Sequence, residues 1–364
     1  MNDSRITTRL PGLTVIELSG SPREIGLAHG KAFAPEIALM KKRLVDYLSS
    51  ISFGVGGRFL LWYFEKLVAK MVRYVPDELL DEIRGVAEGS GNSFKFIFLI
   101  NALDDVLVNL ACSSFAVPES RSENGQLFVA RNLDYPLFHD TLPTLNTVFK
   151  IHPEKGQPFV SVAWPGFCAV VTGMNASGLF IADLTSLSRD RTLKGTPALL
   201  LNRIAIQQSR TLDEMENILR KAQRTVGKNL LIASPEDARV LEVSARQIVS
   251  RTAPDNILAC TNHFETPIMA SLQGSVKKPP RTDVPQEYFS YAYSKLRYDS
   301  VMALASKDKV AVSDAVSVLS AEPVGNRTTV QSVIFFPGLR RLLVARSDKT
   351  PVSQGEYVDV GTAL

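Results

Sequence analysis

The chain has 364 residues, 45% hydrophobic and 21% charged, a balance that suits a soluble globular protein with a large core. A net charge of +4 with no dense Lys/Arg block gives no footing for nucleic acid. Three cysteines (Cys112, Cys168, Cys260) argue against a disulfide framework and fit a cytoplasmic compartment. Four histidines (His29, His139, His152, His263) show no metal-ligand spacing.

Met1 to Leu18, with Asp3, Arg5, Arg9 and Pro11, lacks the apolar run of a signal peptide. The longest apolar stretch, Ile51 to Phe64, is interrupted by Gly54, Gly56, Gly57 and Arg58 and is too short to span a bilayer. Leu13 to Leu18 reads as a strand ending at Gly20. Ser21-Pro22-Arg23-Glu24 has the form of a capping box with proline at the first helical position, and predicts a helix to about Leu48. A second helix, Arg58 to Arg73, carries Phe59, Leu60, Trp62, Tyr63, Leu67 and Met71 on its apolar face. That face is either core or, beside its basic residues, a weak contact with a membrane surface or an acyl chain. Pro76-Asp77-Glu78 opens a third helix and Ser93 caps a fourth, so residues 1–111 form a mainly helical leading region.

At Cys112 the character changes. Short β runs are expected at Ser113 to Val117, Leu127 to Asn132, Thr147 to His152, Phe159 to Ala163, Ala169 to Thr172 and Leu179 to Leu184, separated by turn signals such as Glu123-Asn124-Gly125 and Asn175-Ala176-Ser177-Gly178. Two helices (Pro197 to Gln208, Leu212 to Ala222), further strands through Ile257 to His263, helices at Tyr288 to Ala305 and Val312 to Leu319, and two last strands complete an α+β pattern of helices packed on sheets.

Taken by itself, Cys112 is either a buried small hydrophobe or a nucleophile. Small Ala111 leaves the preceding carbonyl accessible, Cys112 stands where helices give way to strands, and the polar Arg131-Asn132-Leu133-Asp134 ends the next β run. Cys168 and Cys260 have no such company and read as core residues. Arg131 and Asp134 also fit an ion pair at a strand end, Asn262 a turn residue, and Arg297 a solvated helix charge. Three residues apart, Arg131 and Asp134 share a face only if their strand bends or ends near Asn132.

The ordered set Ala111-Cys112-Ser113-Ser114-Phe115, Arg131-Asn132-Leu133-Asp134, Gly173-Met174-Asn175-Ala176-Ser177-Gly178-Leu179 and Thr261-Asn262-His263-Phe264 resembles the N-terminal-nucleophile hydrolases of linear amides, the group of isopenicillin N acyltransferase, choloylglycine hydrolase and acid ceramidase. Gly26 with His29-Gly30, and Glu82-Ile83-Arg84-Gly85-Val86-Ala87-Glu88-Gly89, resemble the helical pro-region of the isopenicillin N acyltransferase branch.

The resemblance implies a four-layer αββα sandwich over residues 112–364, preceded by the pro-region 1–111. It implies self-cleavage between Ala111 and Cys112, which leaves a heterodimer of the two fragments, with homo-oligomers also open. No metal or organic cofactor is implied. Cys112 becomes the nucleophile, and its freed α-amine, with an intrinsic pKa of about 8, the base. Arg131 lies near the sulfur, Asp134 holds the α-amine, Asn262 donates to the oxyanion, and Arg297 matches an arginine of the family's active site. Thr185 stands where bile salt hydrolases place a second oxyanion asparagine. The substrate is a small linear amide whose acyl group passes through a thioester on Cys112 to water or an amine. Aromatics in the leading region tilt that acyl group toward a lipophilic one. Two rivals remain: a Cys112–His263 pair acting without cleavage, and a non-catalytic acyl-chain or membrane-binding protein on the same fold.

Overall fold

The computed structural model describes residues 5–361 apart from 53, 108–110, 276–277 and 279–280. Arg5–Leu10 (β1) and Leu13–Gly20 (β2) form a hairpin about Pro11-Gly12, where Gly12 takes φ +72. β1 is an addition to the expected strand. It is mostly exposed on both faces, so it carries no alternating apolar signal. Pro22–Ala32 (α1) and Ala34–Ile51 (α2) replace the single helix expected to reach Leu48. Pro35 lacks an N–H, and its ring would meet the Lys31 carbonyl in an unbroken helix, so the chain breaks at Phe33. The Glu24 carboxylate accepts from the Ser21 N–H (2.9 Å) and hydroxyl (2.7 Å), which starts α1.

Gly57–Val68 (α3), Asp77–Ser90 (α4) and Phe94–Asn101 (α5) complete the leading helices. On α3 the inward residues are Leu61 and Val68, with Leu60, Phe64 and Leu67 partly covered. Phe59, Trp62 and Tyr63, expected on the apolar face, are about half exposed. α1 crosses α4 at backbone contact: a side chain on Gly26 would strike the Glu82 carbonyl, and one on Gly85 the Arg23 carbonyl. The glycines of the two upstream motifs therefore face each other.

The strands that follow are Ala111–Val117 (β3), Phe128–Asp134 (β4), Thr147–Pro153 (β5), Phe159–Ala163 (β6), Thr172–Asn175 (β7) and Phe180–Thr185 (β8). Ala198–Gln208 (α6) and Leu212–Lys221 (α7) lead to Lys228–Ala233 (β9), Ala238–Val243 (β10), Ile248–Arg251 (β11) and Leu258–Cys260 (β12). Pro267–Ala270 (α8), Tyr291–Met302 (α9), Val312–Ser320 (α10), Thr329–Phe336 (β13), Arg341–Arg346 (β14) and Glu356–Asp359 (β15) close the chain. β7 starts later than the expected run at Ala169. Asn101 Oδ1 takes the Ala169 N–H and the Leu199 carbonyl takes that of Val170, so those residues are not available to a ladder.

Two sheets result, a nine-stranded one in the order β1-β2-β5-β6-β7-β8-β9-β10-β11 and a six-stranded one in the order β12-β3-β4-β13-β14-β15. They face each other, with Phe180 of β8 against Phe335 of β13 (ring centroids 4.7 Å apart) and Thr172 hydrogen-bonded to Gln331. On the outside of the smaller sheet, Phe115, Val117, Phe128 and Ile334 pack against Val301, Leu304, Ala315 and Leu319 from the α9 and α10 side. On the outside of the larger sheet lie α6, held through Asn202 to Asp183, and α1, whose His29 ring stacks on Phe149. The architecture is the four-layer αββα sandwich, and β2 of the leading region is a member of the larger sheet, parallel to β5. Among the described residues no helix is long and apolar enough to cross a membrane.

Candidate active site around Cys112

β3 begins at the inner end of the smaller sheet. Its alternation sends Ser113, Phe115 and Val117 toward the helical layer and Cys112, Ser114 and Ala116 toward the other sheet. Cys112 pairs with Leu133 of β4 and is fully buried.

Arg131, also on the inner face, is 1% exposed. Its guanidinium donates to the carbonyls of Val171 and Asp183 and to the Thr172 hydroxyl, and Nη2 lies 3.9 Å from Cys112 Sγ. None of those partners is a carboxylate, so the positive charge is held in place and directed at the sulfur. Burial pushes the Cys112 thiol up to about 11. Arg131 and the Asp134 backbone N–H pull it down, and the Asp134 carboxylate opposes them. The sulfur is therefore a thiol at neutral pH.

The other side of Cys112 belongs to the helical layer. β12 pairs with β3 up to Cys260 opposite Ser114, and continuing that register puts Asn262 opposite Cys112. Asn262 Oδ1 accepts from the Cys112 N–H (2.7 Å) and from Arg297 Nη2 (2.7 Å), while Nδ2 donates to the Thr185 carbonyl (2.8 Å). Arg297, from α9, also donates to the Cys112 carbonyl and to Ser113 Oγ (3.1 Å). It is 1% exposed, not a solvated surface charge. Asp134 faces it at 3.9 Å and accepts from Thr329 (2.6 Å) and Asn326 (3.1 Å). Burial raises the Asp134 carboxyl to about 6 against the pull of Arg297, Thr329 and Asn326.

The bend expected near Asn132 is absent. β4 keeps its register with β3 up to Asp134, the extra residue of an irregularity in its pairing with β13 falls on β13, and Arg131 and Asp134 lie on opposite faces, as strand geometry requires. They share a site because Cys112 lies between them. Arg131 meets its sulfur, while Arg297, beside Asp134, holds its carbonyl.

Thr185 contributes its carbonyl, to Asn262. Its hydroxyl accepts from Lys228 Nζ (3.1 Å) and lies 3.4 Å from Asp104. Lys228 is buried between Asp104 and Asp183 (3.0 Å). Beside it, Asp105 accepts from Thr225 and from the Ala198 N–H at the start of α6. This cluster ties the short 3-10 turn Leu103–Asp105, which precedes β3, to β8, β9 and α6. Lys228, Asp104, Ser294, Asn326 and Thr329 were not singled out from sequence. A lysine opening an otherwise apolar strand and paired aspartates before Cys112 were the only signals. His263 does not touch Cys112: its ring nitrogens are held by Glu265 on one side and by Ser294 and Thr261 on the other. Among the described residues no group of three or more His, Cys, Asp or Glu side chains is arranged to hold a metal ion.

Next to Leu133 and Val171 opens a narrow cavity of about 50 Å³, walled by Tyr135, Trp164 and Phe167 and by Met40 and Leu44 of α2. Asp104 is the one ionisable carboxylate on its lining.

A family model for acyl-coenzyme A:6-aminopenicillanic acid acyl-transferase matches residues 120–320. An uncharacterized protein of Archaeoglobus fulgidus is 25% identical over 273 residues, 66% of this chain and 45% of that protein. An N-acylethanolamine-hydrolyzing acid amidase of Cavia porcellus is 28% identical over 123 residues, 33% of each. The chain thus spans about half or less of the length of these curated relatives. The solved Caenorhabditis elegans ortholog of that amidase superposes with a TM-score of 0.45 at 17% identity, over 63% of this chain and 94% of that one. With more than half of its length matched by the family model, the chain belongs to the acyl-coenzyme A:6-aminopenicillanic acid acyl-transferase family, within the N-terminal-nucleophile hydrolases.

Proposed function

We propose that the protein is an amide hydrolase or acyltransferase that activates itself by cutting the Ala111–Cys112 bond. The observation that carries this reading is the three-point hold on Cys112: its nitrogen on Asn262, its carbonyl on Arg297, its sulfur facing Arg131. In the uncut chain the sulfur gives up its proton and adds to the Ala111 carbonyl carbon. The C–N bond breaks as the Cys112 nitrogen takes a proton, and water then adds to the thioester. The products are a leading fragment, 1–111, ending in a carboxylate, and a catalytic fragment, 112–364, beginning with a free thiol and α-amine. The two fragments stay together as a heterodimer, because α1 to α5 are built into the shared core.

In turnover the α-amine takes the thiol proton. The sulfur adds to a substrate amide, Asn262 Nδ2 donates to the oxyanion, and the amine leaves with the proton. Water or a second amine releases the acyl group from the thioester. Arg131 favours the thiolate, and Asp134 with Arg297 fixes the chain at the new terminus. The aromatic cavity beside Leu133 takes the acyl group, which favours a lipophilic one. The relative named as an N-acylethanolamine-hydrolyzing amidase points the same way. No cofactor enters the scheme. Three free, buried cysteines suit a cytoplasmic setting, and the exposed aromatics of α3 supply a weak membrane-surface contact.

The test is the denaturing intact mass of purified protein, with the N-terminus of the larger piece sequenced. Cleavage gives pieces of about 12 and 28 kDa by residue share of the 40.0 kDa chain, the larger starting at Cys112. Cys112→Ala stays whole. A wild-type chain that stays at 40.0 kDa across a wide pH range on long incubation overturns self-cleavage.

A further inference from the structure

His263 follows Asn262 in the sequence, yet its ring points away from Cys112 and is 1% exposed. Nε2 lies 2.6 Å from Glu265 Oε1, and Nδ1 lies 2.8 Å from Ser294 Oγ. Ser294 Oγ in turn accepts the backbone N–H of Asn262 (2.8 Å). Ser294 and Arg297 sit one turn apart on α9, one holding the backbone of Asn262 and the other its Oδ1.

We infer that Glu265, His263 and Ser294 form a relay that positions Asn262 for the chemistry at Cys112, with a neutral His263 setting the direction of the Ser294 hydroxyl. The inference rests on the reading of Cys112 as nucleophile and Asn262 as oxyanion donor.

The proton placement follows from the partners. A carboxylate can only accept, so Nε2 carries the hydrogen toward Glu265. Nδ1 is then a lone pair and accepts the Ser294 hydroxyl, which leaves an oxygen lone pair free for the Asn262 N–H. Thr261 Oγ1 donates to the Ser294 carbonyl (3.0 Å) and completes the set. A protonated His263 reverses the Ser294 bond. Nδ1 then donates to the second lone pair of Ser294 Oγ, so that oxygen carries two N–H donors, one of them charged, and the serine hydroxyl turns to Thr261 Oγ1, 3.0 Å away. The charge on the ring therefore bears on the residue that holds Cys112.

The charged and titratable groups around the ring come from its own loop and from α9, β10 and β11. Glu265 is on its own loop. Lys295, Arg297, Tyr291 and Tyr298 are on α9, with the two tyrosine rings edge-on to the imidazole. Arg251 of β11 and Glu242 of β10 stand behind, Glu242 accepting the Glu265 N–H (2.8 Å). Burial lowers the His263 pKa, Glu265 raises it, and Lys295 and Arg297 lower it further. The neutral form is the one present at neutral pH.

The test measures two rates: self-cleavage by intact mass, and the p-nitrophenolate burst from p-nitrophenyl octanoate, which reports acyl-enzyme formation. Ser294→Ala and His263→Leu should each slow the burst by about 10- to 100-fold without changing its half-saturating ester concentration. His263→Asn, whose side-chain oxygen falls near the Nδ1 position, should recover most of the loss. Glu265→Gln should move the acid limb of the burst rate to lower pH, because the carboxylate that raises the imidazole pKa is gone. In an Asn262→Ala background, Ser294→Ala should add less than about a twofold further loss. Multiplying losses in that double variant, or an acid limb unmoved in Glu265→Gln, overturn the relay and leave the Cys112 reading standing. Wild-type bursts from Asn262→Ala and Cys112→Ala overturn that reading and the relay with it.

Discussion

Asn262 Oδ1 stands 2.7 Å from the backbone nitrogen of Cys112, at the point where β12 has stopped pairing with β3. One side-chain amide thus grips the nitrogen that cleavage would turn into an amine, and its other end donates to Thr185. Asn262→Asp keeps the acceptor but replaces the donor with a second oxygen facing a carbonyl. We expect Asn262→Asp to lower both self-cleavage and the acylation burst by about 10²- to 10³-fold, the usual effect of losing one oxyanion donor. A time course of intact mass beside the burst assay checks it, and equal loss in both rates is the expected pattern.

Lys228 pairs with two buried aspartates, Asp104 of the turn Leu103–Asp105 and Asp183 of β8. Lys228→Met removes the cation and leaves the carboxylates uncompensated, which costs about 3–5 kcal/mol in buried pairs of this kind. The loss should shrink toward pH 5.5, below the pKa of the Asp183 carboxyl, which burial raises to about 7. Urea unfolding of the uncut Cys112→Ala background, with and without Lys228→Met, measures both numbers on a single chain.

Asp105 gives a pH dependence of known sign. Burial raises its carboxyl to about 7 despite hydrogen bonds from Thr225 and Ala198. A carboxyl whose folded pKa is raised makes its most favourable contribution at low pH and loses it as pH rises from about 4 to about 7. Asp105→Asn escapes that loss. Its stability relative to the parent should therefore improve by about 1–2 kcal/mol between pH 5.5 and 7.5. Paired melting curves at the two pH values decide it; a gap that is constant, or that moves the other way, contradicts the assignment.

The α1–α4 crossing has no room for a methyl group. Gly26→Ala must push the Glu82 backbone aside, so we expect a loss of about 1–3 kcal/mol or more from overpacking. Gly91→Ala is a useful contrast. A Cβ there meets nothing, and only its φ of +67 opposes it, so its cost should be the smaller of the two. Thermal melts rank the pair.

Phe59, Trp62 and Tyr63 stand about half exposed on α3 beside Arg58 and Lys66. Trp62 and Trp164 are the two tryptophans of the chain, and Trp164 is buried, so a blue shift on adding anionic vesicles reports Trp62. We expect that shift, and its loss in a Phe59→Ser, Tyr63→Ser double variant. An unchanged spectrum with vesicles removes the membrane contact.

The order of helices and strands was legible because its cause is local, while the four layers were an expectation from the resemblance. Strands Phe159–Ala163 and Thr329–Phe336 and helices Ala198–Gln208 and Leu212–Lys221 lie within one or two residues of the expected runs, since apolar periodicity and turn residues sit inside each segment. β1 was missed because a doubly exposed strand has no period. The break at Phe33 departs from the expected single helix, and Pro35, which has no N–H and whose ring excludes an unbroken helix, is its cause.

The residues around Cys112 divide in the same way. Cys112, Arg131, Asp134 and Asn262 could be named because each lies in one of the short motifs that carry the family resemblance. The sequence set their order, and the resemblance supplied their expected roles. Only the tertiary structure decided that Arg131 and Asp134 lie on opposite faces of one strand, Arg131 toward the Cys112 sulfur and Asp134 toward Arg297. It also decided that Arg297 turns inward from a helix with little amphipathic pattern, and that His263 serves Ser294 instead of the thiol. The physical reason is separation along the chain. A hydrogen bond between residues 150 apart, like that of Asn262 to Cys112, leaves no trace in either residue's neighbours, whereas a helix turn or a strand face is written within four residues.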